Sequence, residues 1–343
     1  MPLTKRHYRK PPRQQRGFSL IELMVALVIT LILLAGIGQI YLGSKKSFTI
    51  QNSLGRQQEN GRYAAETIAQ DLRRAGYWGG NADVTAVTGT EGTVAPAATC
   101  NTGDNTWGRM LEQRIFGLNN DQAAAIANYA CVNDGNGYGQ GDVVVMRFAA
   151  PWVIGGATTP AIENNGHLYI RSALTISEEA GRVFKGVDES DTTNDMTNPP
   201  APSERTSELI ARAYYVGPSG QTCQGTDVPS LYRENLNDSG LPVAEEIAYG
   251  IDQLQVQYGL DTNDDNSVDS WLDAGDAGLV NLSDWDNVIA ARFWVLTRAE
   301  CPETGYTNNN TYEMGDLTGG AAYTPNDGYR RQLYTMTVRL RNL

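Results

Sequence analysis

The chain has 343 residues, 41% of them apolar, with 39 acidic and 27 basic side chains and a net charge of −12. That length holds one large domain or two ordinary ones. The first 17 residues carry six bases (Lys5, Arg6, Arg9, Lys10, Arg13, Arg16) and no acid, leaving 21 basic against 39 acidic side chains beyond them. A body so acidic lacks the basic footprint of a nucleic-acid binder. Only two histidines, His7 and His167, are available for a His-built metal site or a Ser-His-Asp hydrolase. Composition therefore points away from an enzyme.

After the basic head, Phe18 to Leu42 reads FSLIELMVALVITLILLAGIGQIYL, with Glu22 as its one charge. As a helix this run spans ~37 Å, against a bilayer core of about 30 Å. The basic head, and the lack of Lys or Arg from Phe18 until Lys45, place the N-terminus in the cytoplasm and the chain beyond the apolar run on the outer side. A secretory signal fits poorly, because Gly43-Ser44 leads straight into Lys45-Lys46 instead of a small-residue cleavage site. An ionised carboxylate in such a segment is costly and implies a function and a partner.

Glu22 directly follows Gly17-Phe18-Ser19-Leu20-Ile21. The stretch GFSLIEL, preceded by basic residues, resembles the cleavage and methylation motif of type IV prepilins. That resemblance implies that residues 1–17 are a leader removed by a membrane peptidase after Gly17. Phe18 is then the methylated mature N-terminus, and Glu22 is an assembly residue whose carboxylate offsets the Phe18 amine of a neighbouring subunit. Neither charge tolerates an apolar filament core unpaired.

Proline is absent between Pro12 and Pro96, so one helix is expected from near Phe18 to about Ala75. Its apolar part covers 18–42. Over 43–76, Ala65, Ile68, Leu72 and Ala75 form an amphipathic stripe. Gly76 offers the C-terminal stop. Interior glycines (Gly36, Gly38, Gly43, Gly55, Gly61) mark either bends or close helix packing in the membrane.

Residues 77–343 read as a β-rich extracytoplasmic head. Strands are expected at Val143–Met146, around Leu254, Val256 and Tyr258, at Ile289–Arg298, and in the alternating run Tyr334–Arg341. Short helices are expected at Asp121–Ala130 and Val243–Ile251, and Asp188–Ser207 reads as a long polar loop. The fold class is α+β: a long N-terminal helix whose amphipathic half covers an antiparallel sheet. The segments LQVQYGLDTNDDNSVD and YRRQLYTMTVRLRN resemble the PilW group of minor pilins. This resemblance implies a low-copy subunit that starts or tips a pilus. Its partners would be other minor pilins, the prepilin peptidase, an inner-membrane assembly platform and a tip adhesin. Its location would be first the inner membrane and then the pilus.

Asp261 to Asp286 holds eight aspartates and no Lys or Arg. Asp261, Asn263, Asp265, Ser267 and Asp269 alternate there, a spacing that gathers small oxygen ligands as Ca²⁺ requires. The pattern departs from an EF-hand, with Asn266 in place of glycine and Leu272 in place of the bidentate Glu. The alternative is a solvated acidic turn. Four cysteines, Cys100, Cys131, Cys223 and Cys301, lie on the outer side without a CxxC pair, which favours two disulfides over zinc or redox chemistry. Of three pairings, Cys100–Cys131 with Cys223–Cys301 minimises loop closure, and the other two stay open. His167 reads as a surface turn residue, Asn133–Gly141 as a loop, and the six tryptophans as core or interface anchors. Two other functions compete with the pilus subunit. One is a large pseudopilin of type II secretion, and the other is a membrane-anchored enzyme or binding protein.

Overall fold

The computed structural model describes residues 17–80, 84, 87–90, 105–120, 126, 129–133, 137–152, 166–173, 181–186, 204–315 and 322–342. Helix α1 runs unbroken over Leu20–Leu72. The chain divides into two compact units, one up to Ser53 and the other from Leu54 onward.

In the second unit the last five turns of α1 bury Gln57, Gly61, Ala64, Ala65, Ile68, Ala69, Asp71 and Leu72. Small residues dominate this stripe because the helix lies very close to strands. A Cβ on Gly61 would sit 2.2 Å from the Tyr334 ring and 2.6 Å from Thr297. Gly61 is therefore a packing glycine of the head, neither a bend nor a membrane contact. The helix ends as its composition implies, with Gly76 at φ +76° and its N–H donating to the Arg147 carbonyl. The Asn342 side-chain amide reaches the carbonyls of Arg73, Arg74 and Ala75 at 3.3–3.4 Å and so caps the end of the helix.

The head is built on two sheets. The first joins β1 (Val87–Thr88), β5 (Gly181–Lys185), β4 (Leu168–Ala173), β6 (Glu204–Cys223), β3 (Gln140–Ala149) and β2 (Ile115–Leu118) in that order. On it, β7 (Thr226–Leu236) pairs with β6, and β8 (Pro242–Tyr249) pairs with β7. Its pairs are antiparallel apart from the short β1–β5 pair. The second is antiparallel, in the order β10 (Ser270–Asp273), β9 (Ile251–Leu260), β11 (Val288–Arg298), β12 (Arg331–Arg339). One apolar core joins the helix stripe to Val143–Met146, Tyr214, Leu254, Val256, Tyr258, Phe293 and Val295. An ionic latch holds the helix end to the first sheet: buried Asp71 accepts two bonds from Arg212 Nη1 at 2.7–2.8 Å and one from the Tyr214 hydroxyl at 2.5 Å.

The expected strands at Val143–Met146, Leu254–Tyr258 and Ile289–Arg298 lie within β3, β9 and β11, and of the run Tyr334–Arg341 residues 334–339 lie in β12 while 340 and 341 follow it. The helix expected at Val243–Ile251 is instead strand β8, leading into β9. Cross-strand partners override its helical look, because Glu245 pairs with Arg233 at 2.7 Å and Glu246 with the Ser230 hydroxyl at 2.7 Å. Asp121–Ala130 lies largely outside the described residues, with a short helix α2 at Ala130–Asn133. Of the loop expected at Asp188–Ser207, residues 188–203 lie outside the described residues, and 204–207 already belong to β6.

Candidate functional site

Gly17, Phe18 and Ser19 stand outside the helix, and Phe18 is 89% exposed. Helix α1 begins at Leu20 because of its first polar residues. The Ser19 hydroxyl accepts the Glu22 backbone N–H at 3.2 Å, and the Glu22 carboxylate accepts the Ser19 backbone N–H at 3.0 Å. This is a capping box, and it satisfies two donors that a helix start otherwise leaves open. The carboxylate also lies at the positive end of the helix dipole. The prepilin resemblance gives Ser19 no role, although serine three residues before a glutamate at the head of an apolar run is the signature of such a box. Beyond it, the apolar side chains from Leu20 to Leu42 are exposed along the helix, which is long and apolar enough to cross a membrane.

The Asp261–Asp269 loop joins β9 to β10. Asp261 is buried at the end of β9, and its carboxylate accepts backbone N–H groups from Asn263 (3.3 Å), Asp265 (3.2 Å) and Asn266 (2.7 Å). Asn263 Oδ1 accepts a second bond from the Asp265 N–H at 3.0 Å. Asp269 closes the loop, with Oδ2 taking both the N–H and the hydroxyl of Thr262 and Oδ1 facing the Asn263 amide. Hydrogen bonds from the hydroxyl and backbone N–H of Ser267 hold the Asp265 carboxyl below its usual range. Asn266 adopts φ +63° and Asp264 φ +59°, left-handed conformations that Asn and Asp tolerate. Among the described residues no three His, Cys, Asp or Glu side chains form a metal-holding group. The loop's oxygens are engaged chiefly with its own N–H groups.

Cys223, at the end of β6, is disulfide-bonded to Cys301, just beyond β11, with Cα atoms 5.4 Å apart. Cys131 is disulfide-bonded as well, and Cys100 lies outside the described residues. Beyond Cys301, Tyr312 and Met314 pack on Trp294 and Leu296 of the second sheet, with Tyr323 and Leu333 against them. Arg331 bonds both Asp252 (2.7 Å) and Asp327 (2.6 Å), and Arg330 bonds Glu303 (2.7 Å). His167 directly precedes β4, with its ring nitrogens at Glu208 (3.0 Å) and Asp238 (3.1 Å).

Two sequence families match the chain. The family described as type IV pilus-assembly protein W matches residues 213–342, from β6 through β12. The prokaryotic N-terminal methylation motif matches residues 12–38, which include Gly17, Phe18 and Glu22. No curated protein matches the sequence. Among solved structures, a type IV-like pilin from Thermus thermophilus is similar at 14% identity, covering 59% of this chain and 79% of that one. Its TM-score is 0.27, too loose a superposition to support more.

Proposed function

From the match of residues 213–342 to the PilW family and of residues 12–38 to the N-terminal methylation motif, we propose the role of a minor pilin in the initiation or tip of a type IV pilus. The work is structural and not catalytic. The chain is cut between Gly17 and Phe18 on the cytoplasmic side of the inner membrane. The segment 18–42 holds it there, the remainder faces outward, and the processed subunit is drawn into the filament. The observation that carries this reading is the juxtaposition at Gly17–Glu22. The scissile bond lies in exposed chain ahead of the helix, and the Glu22 carboxylate stands within the first turn of an apolar helix. In the assembled filament that carboxylate faces the cationic amine that cleavage creates at Phe18 of a neighbour, since a buried charge needs a partner. Other minor pilins, a tip adhesin and the inner-membrane assembly platform are the partners such a subunit requires.

Replacing Glu22 with Ala tests this reading. Sheared filaments should lose the variant by at least about tenfold while the membrane pool persists, whereas undiminished incorporation would contradict an assembly role. A pseudopilin of type II secretion shares the N-terminal motif. It would be favoured if the processed chain stays in membranes and its loss blocks secretion without changing piliation.

We also propose that Asp261, Asn263, Asp265, Ser267 and Asp269 take up Ca²⁺. The supporting observation is that Asp261 and the left-handed Asn266 already hold the loop in a tight curl with small oxygen ligands at alternate positions. Calorimetric titration should reveal binding by millimolar Ca²⁺ that Asp265→Ala weakens. A flat titration would leave a solvated acidic turn.

A further inference from the structure

On the face of the second sheet that Tyr312 and Met314 partly cover, one arginine differs from the ion-paired arginines of the head. Arg212, Arg233, Arg298, Arg330 and Arg331 each meet a carboxylate. Arg292, on β11, does not: among the described residues no carboxylate lies within ion-pair distance of it. Its guanidinium lies over two indole rings, 4.6 Å from the centre of Trp271 and 5.1 Å from that of Trp294. One Nη donates to the Gln257 side-chain oxygen, and Gln257 in turn donates to Asp273 at 3.0 Å. No other hydrogen bond engages the guanidinium among the described residues.

Register fixes the surroundings of this group. Gln257, Arg292 and Thr337 lie side by side on β9, β11 and β12, with Gln255, Trp294 and Thr335 forming the next row on the same face. Thr335 and Thr337 are exposed, and Arg292 is half-buried. An aromatic-stacked guanidinium has lost part of its hydration and most of its rotamer freedom, so its planar fork is preset for a carboxylate. The Thr337 hydroxyl, directly beside it, adds a donor for the same anion.

We propose that Arg292, braced by Trp271 and Trp294 and flanked by Thr337, is an anchor for an aspartate or glutamate side chain of a partner protein. Charge complementarity argues for a single carboxylate. The head is strongly acidic, and Asp273 stands one residue pair away, so phosphate dianions and polyphosphates are repelled while a lone carboxylate is held bidentately. That the carboxylate comes from a neighbouring subunit rests on the reading of the chain as an assembling pilin; the anion site itself does not.

The test is calorimetric titration of detergent-solubilised full-length protein with the blocked peptide acetyl-Gly-Glu-Gly-amide, whose one carboxylate is its only charge, with acetyl-Gly-Gln-Gly-amide and glucuronate as the other arms. The expected result is binding of the glutamate peptide in the millimolar range or tighter and none of the glutamine peptide. Binding should weaken by about tenfold or more in Arg292→Gln, and by a smaller factor in Thr337→Val, whose exposed site leaves the fold intact. Thr337→Val decides the matter if Arg292→Gln does not fold. Absence of binding by the glutamate peptide, equal binding by the glutamine peptide, or binding unchanged in both variants overturns the site. Glucuronate binding without glutamate-peptide binding overturns the protein partner. Failure of the assembly reading would show separately, as absence of the processed chain from filaments.

Discussion

The two halves of α1 are one continuous helix with opposite surfaces. Ile40 is 72% exposed and Ile68 is 0% exposed, although both belong to Leu20–Leu72. In the first half, large branched side chains cover the helix all round, with Glu22 as the only charge before Lys45. In the second, Gly61, Ala64, Ala65 and Ala69 form a narrow stripe of small residues, and polar and charged side chains occupy most of the rest. A helix apolar on every side needs a lipid or protein surround. A stripe of small residues needs one particular sheet at one particular distance. The first half is thus generic in what it buries against, and the second is specific.

That contrast can be broken by substitution. The largest effect is expected at the latch. Asp71→Ala leaves the half-buried Arg212 and the buried Tyr214 hydroxyl without their acceptor, and should destabilise the head by roughly 3–5 kcal/mol in denaturant unfolding. Next comes Gly61→Leu, which drives a side chain into Tyr334 and Thr297. It should cost about 1–3 kcal/mol, partly recovered by Tyr334→Ala. By contrast, Gly38→Leu, with nothing within 4 Å of its Cβ position, should leave head stability unchanged. The smallest effect is at the helix start. Ser19→Ala removes half of the capping box and should weaken helix formation by about 0.5–2 kcal/mol, seen as loss of backbone amide protection over Leu20–Leu23, while Ser19→Asp restores it.

The same contrast explains how much of the molecule is legible in its sequence. The apolar run, Glu22, the stripe Ala65–Ile68–Leu72 and the stop at Gly76 are local patterns, and local patterns suffice to define a helix and its faces. The role of Gly61 is not legible, because its neighbour Tyr334 is far along the chain. The alternation of Gln253, Gln255 and Gln257 with Leu254, Val256 and Tyr258 marks strand β9 correctly but implies a wet face. In the structure Gln255 is 0% exposed, since a sheet's second face is covered or bare according to distant chain, here Tyr312 and Met314, which pack on its register neighbour Trp294. Strand β8 reads as a helix for a related reason, its partners lying on β7. The motif at Gly17–Glu22 is visible in full, whereas the Trp271–Arg292–Trp294 arrangement depends on sheet register that spacing alone does not reveal.

The measurement closest to the central claim is mass spectrometry of the N-terminal peptide of the native protein, in membrane and sheared-filament fractions. A peptide that begins at methylated Phe18 and is present in sheared filaments is the predicted result. An intact Met1 leader in piliated cells would contradict it, and would make the apolar half of α1 a plain membrane anchor.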